Sequence, residues 1–312
     1  MNARSQSAEV DKARQYGAQG QVTLRVIDST AKPVELANVS AGFYNPHERG
    51  QVAEGKTDTN GCFVATGRPV DDMRYTIMKD SYYKTEGTYA FHRPGADSSV
   101  KDGRWQPWNL TNTVVLKERR NPVPMCAKSV DESVPIRDAP VGFDLEKGDW
   151  VAPHGKGTKT DLVFTYQAQI KDYWTGKKEL VITCTNRLDG FYRAQKDMWS
   201  DLQSTYEAVP DDYQASVRLV LDATKQKVLE SQGIGRSEYL VCRVRTVLDD
   251  KGNIVSAHYG KIYGPIEYGA GKNLDRLRFV YYLNPTANDR NLEFDPSWNL
   301  LGATDKRRVY QP

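Results

Sequence analysis

This 312-residue chain has little of what most catalytic and metal centres are made from. It carries four histidines and four cysteines. The histidines, His47, His92, His154 and His258, are dispersed, and no pair has the H-x-x-x-H spacing of a helical metal site. Cys62, Cys126, Cys184 and Cys242 form no C-x-x-C pair, which leaves a zinc knuckle or a thioredoxin-type site unsupported. Hence no metal and no cofactor is expected. Charge of one sign is also missing. The net charge is +3, acids and bases are interspersed, and the short Lys306-Arg307-Arg308 run reads as a solvated tail, so no nucleic-acid partner is expected. No apolar stretch is long enough to span a bilayer, and residues 1–20 lack the apolar segment of a signal peptide. A mature chain whose leader has been removed reads the same way.

What is present is alternation. "QVTLRVID" sets Val22, Leu24 and Val26 against Thr23 and Arg25, the period-two pattern of a half-buried strand. Further short strands follow in "ANVSAGFYN", "RYTIMKDSYY" and "NTVVLKER", separated by Gly, Pro, Asn and Asp, and this predicts an antiparallel sandwich. "GKTDTNGCFVATG" reads as a hairpin turned at Asn60-Gly61, with Phe63 directed to the core. A calcium loop would need a closing bidentate acid there, and none is present. The first 18 residues read as a leader or a short helix ending at a glycine. The segment 119–140 is rich in proline and charge and reads as a linker. Beyond it, residues 141–312 read as a second β-rich domain. "TDLVFTYQAQIKDYW" and "TGKKELVITC" form one expected hairpin, and Asp249 to Asn253 turns another. Cys184 and Cys242 share the inward faces of their strands, as core thiols or as a disulfide pair. "MWSDLQSTYEAVPDDY" is expected to include a short helix that Pro210 stops.

The pieces Gly20, Val22, Asp28, Pro33, Val34, Ala37, Val39, Thr57, Asp58, Gly61, Phe63, Tyr75 and Tyr82 together resemble the carboxypeptidase regulatory-like family, with its transthyretin-like β-sandwich. The resemblance covers about residues 19–118. Ala31 stands near the turn where the family has a glycine. It implies a seven-strand sandwich that accompanies other domains as an accessory or binding module, and it implies no catalytic residues. Segments such as "PVGFDLEKGDW" and "YYLNPTANDRNLEFDP" are similar to exported, uncharacterised bacterial proteins, which implies a periplasmic or cell-surface location. The expected fold is therefore all-β, with two antiparallel β-sandwich-like domains.

Candidate chemistry is sparse. "APHGKGTKTD" around His154 superficially suggests an anion loop but lacks P-loop spacing. The best local acid pairs for a glycosidase are Asp144, Glu146 and Asp149 in "FDLEKGDW", and Glu293 with Asp295. Trp105 and Trp108 lie in the loop-like "DGRWQPWNL". They either seal the two sandwiches together or form a platform on which the C–H face of a sugar stacks. The remaining tryptophans, Trp150, Trp174, Trp199 and Trp298, read as packing residues. The expected function is non-catalytic binding or scaffolding outside the cytoplasm, with a glycan or an envelope protein as partner. The alternative is a carboxylate-dependent hydrolase acting on a polysaccharide through the second domain.

Overall fold

A computed structural model describes residues 3–48, 50–92, 99–172, 175–224, 226–269, 275–302 and 309–312, with side chains from residue 8 onward. Trp174 and Lys306-Arg307-Arg308 lie outside the described residues. Among the described residues the protein is all-β apart from one helix, and it divides into two compact units: Met1–Arg120 with Trp199–Asp201, and Asn121–Met198 with Leu202–Pro312.

In the first unit, helix α1 (Ala3–Tyr16) precedes strands β1 (Gly20–Asp28), β2 (Asn38–Phe43), β3 (Val52–Lys56) and β4 (Cys62–Gly67). Then come β5 (Asp72–Met78), β6 (Thr85–Ala90), β7 (Ser99–Lys101), β8 (Arg104–Gln106) and β9 (Leu110–Leu116). The strands form sheets β4-β1-β9 and β3-β2-β5-β6, with β7-β8 as a separate ribbon. Alternation on β1 sends Val22, Leu24 and Val26 into a core shared with Ala41, Met73, Ile77 and Leu116, all buried. Each such valine, leucine, isoleucine or methionine stabilises the fold by about 1.5–3 kcal/mol when fully removed from water. The helix stops at Gly17, which is left-handed (φ 81°) and donates to the Ala13 carbonyl at 2.7 Å. A Cβ there would lie 2.5 Å from Asn45 Nδ2, so glycine is required twice over.

Asp58 to Gly61 is not a hairpin turn. β3 pairs with β2 while β4 pairs with β1, so the segment is the corner where the chain passes from one sheet to the other. Asp58 holds it through Oδ1, which accepts the N–H groups of Asn60 and Cys62 at 2.9 and 2.7 Å. Only Gly61 takes a positive φ, 73°. Phe63 packs against the core while staying half-buried.

The second unit holds β10 (Val123–Ser133), β11 (Pro140–Asp144), β12 (Asp149–Trp150), β13 (Leu162–Asp172), β14 (Thr175–Cys184) and β15 (Gly190–Gln195). It continues with β16 (Ser216–Ala223), β17 (Val228–Gln232), β18 (Glu238–Leu248), β19 (Ile254–Tyr268), β20 (Arg276–Asn284) and β21 (Phe294–Asn299). They make two six-stranded sheets, β15-β18-β19-β20-β10-β21 and β12-β11-β13-β14-β16-β17. Phe143, Trp150 and Phe164 from one sheet meet Phe279 and Tyr281 from the other in a web of edge-to-face and stacked rings. β13 with β14, and β18 with β19 across Asp249–Asn253, pair as the alternation and the turn residues indicate.

Two further expectations need correction. Residues 119–140 are no linker: β10 lies inside a six-stranded sheet, and Cys126–Ser133 pair with β20 without interruption. The prolines fall at the margins of this run. Pro124 sits where pairing with β21 is irregular, and Pro135 and Pro140 come after it. The stretch 198–213 contains no helix. Its Ala208 and Tyr213 instead cover Tyr239, Val241 and Tyr259, so the sheet is buried on both faces, and β18 accordingly reads as a nearly continuous apolar run.

Candidate functional site

The most ligand-like feature is the β7–β8 ribbon. Asp102 and Gly103 both have positive φ (52° and 73°), the two-residue reversal that Asp-Gly favours because glycine carries no Cβ. Pairing of Val100 with Trp105 and of Lys101 with Arg104 puts the first pair inside and the second outside. Trp105 is 1% exposed, and its indole N–H donates to the Pro69 carbonyl at 2.9 Å. It shares the core cluster with Ala13, Ala18 and Val100. Trp105 therefore cannot present a face to a ligand, and its role is to seat the ribbon in the first unit's own core. Trp108 is half-buried, and Arg104 lies over its ring at 4.9 Å from the centroid. The adjacent Asn109 is left-handed, donates its N–H to Gln21 and accepts the Thr23 hydroxyl at 2.9 Å.

Val100 and Gly103 of the ribbon region also border a groove of about 280 Å³. Glu9, Lys12 and Tyr16 line it from α1, at the i, i+3 and i+7 positions that share one helix face. Val100, Gly103 and Arg68 also line it. Arg68 donates to the Gly17 carbonyl at 3.4 Å and pairs with Glu48 at 3.5 Å. The Tyr16 ring stands 5.6 Å from that of His47. A concave surface with one aromatic ring and charged arms of both signs can seat a small polar ligand. Sequence reading missed the groove because nothing local ties α1 to a ribbon some 85 positions later. The Asp-Gly pair in "KDGRW" was the one available signal for the ribbon itself.

The acid pairs are differently placed. Asp144 is buried, and its carboxylate accepts the N–H groups of Glu146, Lys147, Thr158 and Lys159 at 2.9–3.0 Å, with Arg245 Nη2 at 3.2 Å. Burial alone would raise its pKa, but the backbone N–H groups and Arg245 outweigh burial and hold it below the ordinary value. Glu146 is held low chiefly by its hydrogen bond from Arg245. Asp149 accepts the N–H groups of Trp150 and Lys156, both at 2.8 Å. Glu293 is buried and accepts the Asn121 N–H at 3.1 Å, and Asp295 accepts the N–H and hydroxyl of Ser297. Asp144 and Glu146 are thus both held as carboxylates. The His154 loop is settled by the same contacts: the N–H groups that an anion would need are taken by Asp144 and Asp149. Arg245 and Asp161, the centre of this network, escaped sequence reading. The signal was there, because two arginines interrupt the buried strand "YLVCRVRTVL".

All four cysteines are free thiols. Burial pushes the Cys126 and Cys242 thiols up to about 12, the opposite of what a nucleophile needs. Among the described residues no group of three or more His, Cys, Asp or Glu could hold a metal ion, and no helix is long and apolar enough to cross a membrane.

No protein-family model matches the chain, and no curated protein matches it. Among solved structures it is similar to 3-chlorocatechol 1,2-dioxygenase from Rhodococcus opacus, at 12% identity over 33% of this chain and 61% of that one, with a TM-score of 0.25. It thus spans about three fifths of that enzyme's length. A DUF3823 family protein from Parabacteroides merdae matches at 10% identity over 86% of this chain and 100% of its own, TM-score 0.22. BcpA, the major pilin subunit of Bacillus cereus, matches at 10% over 84% and 95%, TM-score 0.23.

Proposed function

We propose that this protein is a non-catalytic binding or scaffold protein of the extracytoplasmic space, and that its first unit is a carboxypeptidase regulatory-like sandwich that recognises a glycan. The seven strands of its three- and four-stranded sheets support the fold reading. The observation that carries the binding reading is the β7–β8 region, where Arg104 lies over the Trp108 ring and Val100 and Gly103 line a groove with Lys12, Tyr16 and Arg68. An aromatic face stacks on the apolar side of a pyranose, while Lys, Arg and Glu side chains bond its hydroxyl and carboxylate groups. The hydrolase alternative loses support, since Asp144, Glu146, Asp149, Glu293 and Asp295 are all engaged in holding turns and loops. A glycan-array screen of the full chain, followed by calorimetry on the best ligand, tests the proposal. Trp108→Ala or Tyr16→Ala should weaken binding at least tenfold. Retention of protein partners with no glycan bound would replace the glycan by a protein ligand.

A further inference from the structure

Two thiols of the second unit face one another from its two sheets. Leu180, Ile182 and Cys184 alternate inward along β14, and Leu240, Cys242 and Val244 do so along β18, all against one hydrophobic core. Packed sheets stand about 10 Å apart, whereas a disulfide needs Cα atoms about 4.4–6.8 Å apart, so a bridge fits only where sheets are drawn together. They are drawn together beside these cysteines. Leu162, which pairs with Cys184, follows Asp161, and Asp161 is forked to Arg245, three positions beyond Cys242. The chain leaving Cys184 crosses to the other sheet in residues 185–189 and enters β15, where Phe191 pairs directly with Cys242. Within that crossing the Leu188 carbonyl accepts Nε of Arg243, the neighbour of Cys242, at 2.8 Å. On its other side Cys242 pairs with Gly260, and a Cβ there would lie 3.1 Å from the Cys242 sulfur, so glycine keeps a side chain off it.

We propose that Cys184 and Cys242 form a disulfide that ties the two sheets of the second unit when the chain folds in the presence of a small-molecule disulfide oxidant. The other cysteines are placed elsewhere. Strands β19 and β20 separate Cys126 on β10 from β18, a gap of about 14 Å, and Cys62 belongs to the first unit. Burial raises both thiols, Cys242 up to about 12, and the next influence on Cys184 is the charge of Cys242 itself, ahead of Asp189 and Asp161. Thiols raised in this way exchange slowly once the core has closed, so the bond forms while the chain is still folding. One thiol loses its proton to solvent, and its sulfur attacks the S–S bond of the oxidant. A mixed disulfide forms as one oxidant thiolate leaves. The second cysteine, deprotonated in turn, attacks the chain sulfur of that bond and releases the other oxidant thiolate. The two cysteines lose two electrons and two protons, and the oxidant is reduced to two thiols. Compartments outside the cytoplasm supply such oxidants.

The test refolds the full chain from urea in mixed reduced and oxidised glutathione, blocks free thiols with an alkylating agent and maps peptides without reduction. It supplies its own oxidant and so depends on neither the location nor the ligand proposed above. One species should form, about 2 Da lighter than the reduced chain before alkylation. Its linked peptides should join Cys184 to Cys242, with Cys62 and Cys126 alkylated. Closing a loop of about 60 residues should raise the urea midpoint of the second unit by about 1–2 M over the reduced chain. Cys184→Ala should abolish both the link and the gain. A refolded chain in which all four thiols are alkylated would overturn the proposal, as would glutathione retained on Cys184 without closure or a link between any other pair.

Discussion

Arg245 closes on Asp161 through a two-point fork, Nε to Oδ1 at 2.6 Å and Nη2 to Oδ2 at 2.9 Å. The same guanidinium also reaches Asp144 and Glu146, so one cation binds β18 to both ends of the 144–161 loop segment. Arg245 adopts a left-handed backbone (φ 57°) at the irregular step between Val244 and Val247. That bulge turns an arginine inward from a strand whose neighbours are apolar. Asp189 steadies the bulge by accepting the N–H groups of Arg245 and Thr246 at 3.0 and 2.9 Å. Removing one member of a buried pair leaves the others uncompensated. Arg245→Met should therefore destabilise the second unit by about 3–5 kcal/mol, read from urea unfolding of the full chain. Glu146→Gln should cost far less, because Glu146 is 42% exposed. Equal losses would show that the fork is not the anchor.

His258 pairs across from Val244, beside this network. Burial, and then the positive charge of Arg245, hold its pKa below the ordinary 6.5, and its Nδ1 is buried without a hydrogen-bond partner. The unfolded chain takes up a proton on this histidine as pH falls below 6.5, while the folded chain resists until its own lower pKa is reached. Stability is thus complete above pH 6.5 and falls as the pH drops from there toward the folded-state value. The nearby acids titrate as well, Glu146 in the same sense and Asp161 in the opposite one, because burial raises Asp161 despite the fork. Comparison with His258→Gln cancels those shared contributions. The wild-type chain should lose more stability than the variant between pH 7.5 and 5. Parallel urea midpoints across that range would refute the claim.

The two tryptophans of the β7–β8 region should respond oppositely. Trp105→Ala empties a core position and breaks the bond to Pro69, so it should cost about 3–5 kcal/mol of stability. Trp108→Ala removes a half-buried ring stacked with Arg104 and should change stability by at most about 1 kcal/mol while abolishing glycan retention. The measurement is a melting curve and a binding titration on each variant. A large melting shift for Trp108→Ala with unchanged binding would assign that ring to packing alone.

These contrasts show what the sequence could and could not reveal. Strand identity was legible wherever one face meets water, as on β1, where Val22, Leu24 and Val26 alternate with Thr23 and Arg25. It failed on β10, where proline and charge mask a strand that keeps Met125 and Ala127 on one face and Cys126 and Val130 on the other. Partners were not legible at all. Asp144 and Asp149 look like a catalytic cluster until Thr158, Lys159 and Lys156 return from later in the chain to bond them. Trp105 and Trp108 look alike in sequence, and only the two-residue turn at Asp102-Gly103 decides which one faces inward.

Gly61 and Gly103 allow backbone conformation and packing to be separated. Both have φ of 73°, a region that L-residues enter at a cost of about 1–2 kcal/mol. At Gly103 a Cβ would meet nothing within 4 Å. Gly103→Ala thus incurs the conformational strain alone, partly offset by the lower entropy of the unfolded alanine chain, for a net loss of about 1 kcal/mol or less. At Gly61 a Cβ would stand 2.3 Å from the Val26 carbonyl oxygen, with the Val34 nitrogen at 3.1 Å. That carbonyl already accepts the Val34 N–H at 3.0 Å, and the Gly61 carbonyl accepts the Val26 N–H at 2.7 Å. No flexible side chain can move aside, since every atom in the way is backbone held in a ladder. Gly61→Ala must therefore open the corner between the two sheets of the first unit, at a cost of about 2–4 kcal/mol. Urea unfolding of both variants in the full chain gives the difference, and hydrogen exchange at β1 and β4 locates it. Fast exchange should appear at Val26 and Val34 in Gly61→Ala and at neither in Gly103→Ala. If the two variants lose equal stability, the corner yields more easily than its hydrogen bonds imply, and the close approach at Gly61 is not what requires glycine there.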